Sequence, residues 1–119
     1  MLDQVRQPFF CNALAQAAAV EALAHQDAVI DRVTRTIAER IAVDERLRAL
    51  GLTPAESQAN FCWFSLGEDR DEAEVMSGLQ ERGVLVRGGG ALGDAGALRV
   101  TYGTPEENAR FLQALAEVL

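Results

Sequence analysis

The stretch LRVTYGTPEEN, residues 98–108, limits the possible folds more than any other part of this chain. Leu98, Val100 and Tyr102 alternate with Arg99 and Thr101, the period-two pattern of a half-buried strand. Gly103 breaks the run. Thr104, Pro105 and Glu107 then spell a helix start: a capping hydroxyl, a proline in the first turn, and a glutamate placed to reach back to the cap. Phe111, Leu112, Leu115 and Val118 give that helix an apolar face. A strand that passes at once into an amphipathic helix needs both a sheet to join and a layer to pack against, which points to an α+β fold.

The rest of the chain fills in that architecture. Residues 1–12 read as irregular, with Pro8 and two adjacent phenylalanines. Asn12 is placed to cap an alanine-rich helix over 13–24. Val29, Ile30, Val33, Ile37 and Ile41 recur at helical spacing from Asp27, and Leu47 and Leu50 lie near the end of this longer helix, with Gly51 as its stop. Arginines 32, 35, 40, 46 and 48 alternate there with acids and read as a solvated face. NFCWFSL, residues 60–66, reads as a buried strand. Asp69 with Glu72 suggests the start of a third helix, which ends near Arg82 before Gly83. VLVR, residues 84–87, is a second strand and LRVTY the third. The expected order is α-α-β-α-β-β-α, a small three-stranded mixed sheet with helices on one face. The strand–helix–strand unit leaves its two strands parallel, and the last strand sits centrally, antiparallel to its predecessor. No repeat or linker divides the 119 residues, so one domain over 1–119 is expected.

Composition narrows the chemistry. A formal charge of -7 disfavours a phosphate backbone as a partner, so no nucleic acid is expected. No apolar run reaches membrane-spanning length, and MLDQVRQPFF carries no signal-peptide pattern, so no membrane and a cytoplasmic setting are expected. Cys11 and Cys62 lie far apart with no histidine companion and read as packed small hydrophobes. The eleven basic residues are all arginine. Chemistry that needs a lysine Schiff base is therefore excluded within this chain.

RGGGALGDAG holds a literal GxGxxG at Gly88, Gly90 and Gly93. That fingerprint must open a helix whose amides hold a pyrophosphate, and too few residues separate Gly93 from the next strand. A flexible hairpin loop is the better reading. His25 is the one histidine and reads as helix-terminal; no metal site is expected. Arg99 and Arg87 stand apart, because strand positions rarely carry charge without a partner. Flanking one loop, they could converge on an anion, for which the guanidinium fork is suited. Alternation leaves Arg99 open between that role and a solvent-facing one. For Arg87 it favours solvent or local acids.

RQPFFCNALAQAAAVEAL, SQANF at 57–61, ERGVLVR at 81–87 and LRVTYGTPEEN occur in an order that resembles the C-terminal part of a histidinol-phosphate aminotransferase. Such enzymes are pyridoxal-phosphate-dependent and have the aspartate aminotransferase fold. The resemblance spans the whole chain but about the last third of such an enzyme. LRVTYGTPEEN is its most specific block and SQANF the next. FFCN departs from the tyrosine-asparagine pair common there.

The resemblance implies the small domain of that fold, with Arg99 holding the substrate α-carboxylate and Arg87 near the substrate's distal phosphate. It places the catalytic lysine, the acid against the pyridine nitrogen and the phosphate cup in a larger domain absent from this chain. No catalytic or cofactor-binding residue is then expected among the 119, and the isolated chain should be inert. The implied partners are the missing large domain, an amino-acid or phosphorylated amino-alcohol substrate, and a second copy in a homo-oligomer such as a dimer. Helix one and the sheet face bearing Arg99 would be exposed without them. The alternative is a free-standing α+β module that binds a small anionic metabolite or a protein partner without turnover.

Overall fold

The structure, a computed structural model, describes residues 11–119. The irregular reading of residues 1–10, Pro8 and the two phenylalanines included, lies outside the described residues. The chain divides into two compact units, Met1–Val33 and Thr34–Leu119.

In the first unit, α1 spans Ala13–Leu23. Asn12 caps it as its sequence position suggests, its side-chain oxygen accepting from the Ala15 amide at 2.8 Å. The helix buries none of its residues, and Leu14, Val20 and Leu23 are exposed. His25 and Glu21 meet at 3.0 Å, one turn apart. The helix α2 spans Gln26–Ala49, and its residues from Thr34 onward belong to the second unit.

The second unit contains the sheet. Its strands are β1 (Thr53–Pro54), β2 (Phe61–Ser65), β3 (Arg87–Gly88) and β4 (Ala97–Thr101), in the order β1-β2-β4-β3. The helices α3 (Glu72–Glu81) and α4 (Pro105–Val118) complete it. The sheet departs from expectation in three ways. It has four strands rather than three, because Thr53 and Pro54 pair with Ser65 and Phe64. Every adjacent pair is antiparallel, so the sheet is not mixed. VLVR contributes only Arg87 to a ladder, because Gly88 rather than Val86 faces Leu98. The central position of β4 between β2 and β3 is as expected, and β2 and β3 run the same way without touching.

The two sheet faces differ. Cys62, Phe64 and Leu98 point inward and join Val43 and Leu47 of α2, Val75 and Leu79 of α3, and Phe111, Ala114 and Leu115 of α4 in one core. Burial of such side chains supplies most of the fold's stability. Phe64 and Phe111 meet with ring centroids 6.5 Å apart. Helices thus cover one face, as their apolar stripes require.

Helix ends follow local chemistry. Gly51, at a φ of 79°, stops α2, and the Leu52 amide reaches back to the Leu47 carbonyl at 3.0 Å. The cap of α3 is Asp71, not Asp69: its side chain accepts from the Glu74 amide at 2.9 Å. This leaves Glu72 at the first helical position, free for another task. Thr104 and Glu107 form the full capping box of α4.

Candidate functional site

The outer sheet face carries the unusual chemistry. β2 and β4 pair in the register Phe61↔Thr101, Trp63↔Arg99 and Ser65↔Ala97, so these side chains share the face opposite the core. On the other side of β4, Arg87 stands directly across from Arg99. Trp63, Arg99 and Arg87 therefore form a row across three strands. Like charges placed opposite one another destabilise a sheet. Among the described residues neither arginine side chain has an ion pair or hydrogen bond, and the Arg99 guanidinium lies over the Phe61 ring. Arg99 is half-buried and Arg87 exposed. Two uncompensated guanidinium groups on one face can bind a carboxylate or phosphate through charge-assisted forks.

The loop beside this row is held from both sides. A 3₁₀ turn at Gly90–Leu92 joins β3 to β4, and no α-helix opens there, so the hairpin reading of GxGxxG holds. From α3, the Glu72 carboxylate accepts from the Gly90 amide at 3.1 Å and the Gly96 amide at 2.8 Å. At Gly88 a Cβ would collide with that carboxylate and with Met76 Sδ, which explains the glycine. On the outer face, Trp63 Nε1 donates to Asp94 Oδ2 at 2.9 Å. The amides that could cradle a phosphate thus already hold an internal anion.

The turn after β4 is braced by Asn108, 5% exposed. Its oxygen accepts from the Gly103 amide at 2.8 Å, and its Nδ2 donates to the Gly103 carbonyl at 3.1 Å and to Glu39 Oε2 at 2.8 Å. Tyr102 donates to Asp44 Oδ1 at 3.1 Å. Burial, helped by the neighbouring Cys62 and Asp44 charges, pushes the Tyr102 phenol well above its ordinary range. Burial, reinforced by Asp44, pushes the Cys62 thiol up to about 12. Neither is a nucleophile at neutral pH. Among the described residues no group of three or more metal-ligating side chains occurs, and no helix is long and apolar enough to cross a membrane.

The sequence singled out Arg99 and Arg87, and the structure brings them together. It missed Phe61, Trp63 and Asp94. The alternation within NFCWFSL puts both rings on the face of Arg99, a signal that could have been read; the Trp63–Asp94 bond spans 31 positions and has no local trace.

A family model for aminotransferase class I and II matches residues 1–115. The chain belongs to this family. A histidinol-phosphate aminotransferase of Corynebacterium efficiens is 44% identical over 114 residues, 96% of this chain and 29% of its own length. One from Streptomyces avermitilis is also 44% identical, over 96% of this chain and 30% of its own length. Among solved structures, the histidinol-phosphate aminotransferase of Sinorhizobium meliloti in complex with pyridoxal-5'-phosphate superposes with a TM-score of 0.79 at 25% identity, covering 98% of this chain and 32% of that one. The aspartate aminotransferase of Thermus thermophilus with maleate gives a TM-score of 0.70 at 32% identity, covering 88% and 29%. The chain thus spans about 30% of the length of the curated relatives it matches. Its own residues do not fit pyridoxal phosphate: no lysine amine is present, and Glu72 occupies the Gly90 and Gly96 amides.

Proposed function

We propose that this chain is the small, lysine-free domain of a pyridoxal-phosphate-dependent aminotransferase and supplies its substrate-anion contacts. The observation that carries this reading is the Arg87↔Arg99 pair, two guanidinium groups on one face with no acid partner among the described residues, in a member of the aminotransferase family. The parent enzyme transfers an amino group from histidinol phosphate, or from an aromatic amino acid, to a 2-oxo acid. Arg99 holds the carboxylate of the amino- or oxo-acid substrate, and so fixes its Cα relative to the cofactor. Arg87 adds a second fork for a phosphorylated amino alcohol. The other domain would hold pyridoxal phosphate, which would serve as the electron sink. Alone, the chain is inert and binds anions weakly, because one wall of the site is missing.

The other domain, and a second copy of the enzyme, are the partners this reading implies. The exposed Leu14, Val20 and Leu23 of α1 are candidates for that contact. The C-terminal placement and the cytoplasmic setting are part of the same proposal. A lysine-bearing domain encoded in frame ahead of Met1 is expected; one found after Leu119, or none, overturns the placement.

The activity test uses the enzyme that carries this stretch. Arg99→Ala should lower kcat/KM with the 2-oxo acid by about 10²–10³-fold, the loss of a charge-assisted fork. Arg87→Ala should act mainly on a phosphorylated donor. Equal activity of Arg99→Ala and the unaltered enzyme would refute the assignment. Calorimetry on the isolated chain separates this reading from a binding module, which would take histidinol phosphate or phosphate at submillimolar concentration.

A further inference from the structure

Arg99 is held by a ring rather than by an acid. Its Cζ lies 5.3 Å from the centroid of Phe61. Phe61 pairs with Thr101 across the ladder, so it is a diagonal neighbour of Arg99 on the same face. Such a neighbour is within reach of a long side chain. Trp63, directly opposite Arg99, is tied to Asp94 instead.

The choice of neighbour matters chemically. A guanidinium presents five N–H donors and no acceptor. A carboxylate beside it would orient it but occupy the fork that a substrate needs. An aromatic face attracts the cation through its quadrupole and takes none of its in-plane donors. The platform is itself fixed. The Phe61 carbonyl accepts from Ser57 Oγ at 3.2 Å, and the adjacent Asn60 carbonyl accepts from the Tyr102 amide at 2.9 Å. SQANF, distinctive in the sequence, thus builds the seat of the ring.

We propose that Phe61 is a positioning residue for Arg99: its ring preorganises the guanidinium and leaves the donors free for a carboxylate. This rests on the reading that Arg99 binds the substrate carboxylate. Preorganisation raises affinity by removing side-chain freedom that binding would otherwise have to freeze.

The test is NMR of this chain titrated with maleate, with Phe61→Leu, Phe61→Tyr and Arg99→Ala as variants. In the unaltered chain the Arg99 Hδ protons should be shifted upfield by the ring, and maleate should produce a saturable change at millimolar concentration. Phe61→Leu should remove the ring shift and weaken maleate by about 2–5-fold, the worth of an exposed cation–π contact. Phe61→Tyr should retain both, an outcome that loss of packing alone would not produce. Unshifted Arg99 protons in the unaltered chain overturn the proposal without any variant. So does unchanged maleate affinity in Phe61→Leu when Arg99→Ala has lost it; in that case the role of Arg99 stands. Maleate binding that survives in Arg99→Ala, or no saturable change in the unaltered chain, overturns the reading of Arg99 and the proposal with it.

Discussion

Asn108→Ala should be among the most damaging single substitutions in this chain, although Asn108 touches none of the candidate site. Its side chain makes three hydrogen bonds, two to the Gly103 backbone and one to Glu39. A neutral bond contributes about 0.5–1.5 kcal/mol and one to a charged group about 1.5–3. Gly103 is exposed, so water can replace part of what its backbone loses. Asn108 is buried, and the Glu39 carboxylate is half-buried and loses its donor. The expected loss is about 2–4 kcal/mol. A chain of 119 residues has a stability on the order of 6–18 kcal/mol. With a urea m-value of about 2 kcal/mol/M, the midpoint should fall by about 1–2 M. Asn108→Asp should do no better near neutral pH, because it sets a second carboxylate against Glu39. Equilibrium urea unfolding followed by circular dichroism reads both variants. A midpoint shift below about 0.5 M at unchanged m would refute the view that this bracket holds the turn.

Glu72→Gln should weaken the link between α3 and the glycine loop by about 1–3 kcal/mol, since an amide replaces the carboxylate that the Gly90 and Gly96 amides share. Faster hydrogen exchange at those two amides would show it, and unchanged exchange would count against the clasp. Cys11 is exposed and Cys62 buried with its thiol held up to about 12, so a thiol reagent at about pH 8 should titrate one cysteine in the folded chain and the second only after unfolding. Stability should also fall at alkaline pH. Cys62 and Tyr102 both have raised folded values, so the folded state binds more protons than the unfolded one above about pH 9. The contribution is full below that pH and is lost as the pH climbs toward the folded values; urea midpoints that stay flat between about pH 8 and 10.5 would contradict this.

Much of the fold was legible because its signals are local. The Asn12 cap, the Gly51 stop and the Thr104–Glu107 box each lie within a few residues of what they organise. The errors lie where a distant partner decides. Thr53 and Pro54 form a strand only because Ser65 and Phe64 face them, and two residues carry no period of their own. In VLVR the apolar run suggests a strand, yet only Arg87 enters a ladder, because Gly88 must meet Leu98 to place the loop. At the helix start after GEDR, both Asp69 and Asp71 have a glutamate three residues on. Asp71 caps, and Glu72 is then spent on the loop amides rather than on a capping box.

The same distinction separates the site from its scaffold. Alternation alone put Arg99 on a face and left open what it faced. Register decides that, because it brings Arg87 opposite Arg99 and Phe61 to its diagonal. Within LRVTYGTPEEN four polar side chains close the fold: Tyr102 on Asp44, Thr104 and Glu107 at the start of α4, and Asn108 on Gly103 and Glu39. Arg99 does none of this. Among the described residues Arg99 meets the Phe61 ring but no acid, and it stands opposite a second cation, so its charge does not hold the sheet together. The proposed substrate anion would give that charge a use. The offset that sets the Arg99 guanidinium over the Phe61 ring belongs to the β2–β4 register, which pairs Phe61 with Thr101 and Trp63 with Arg99.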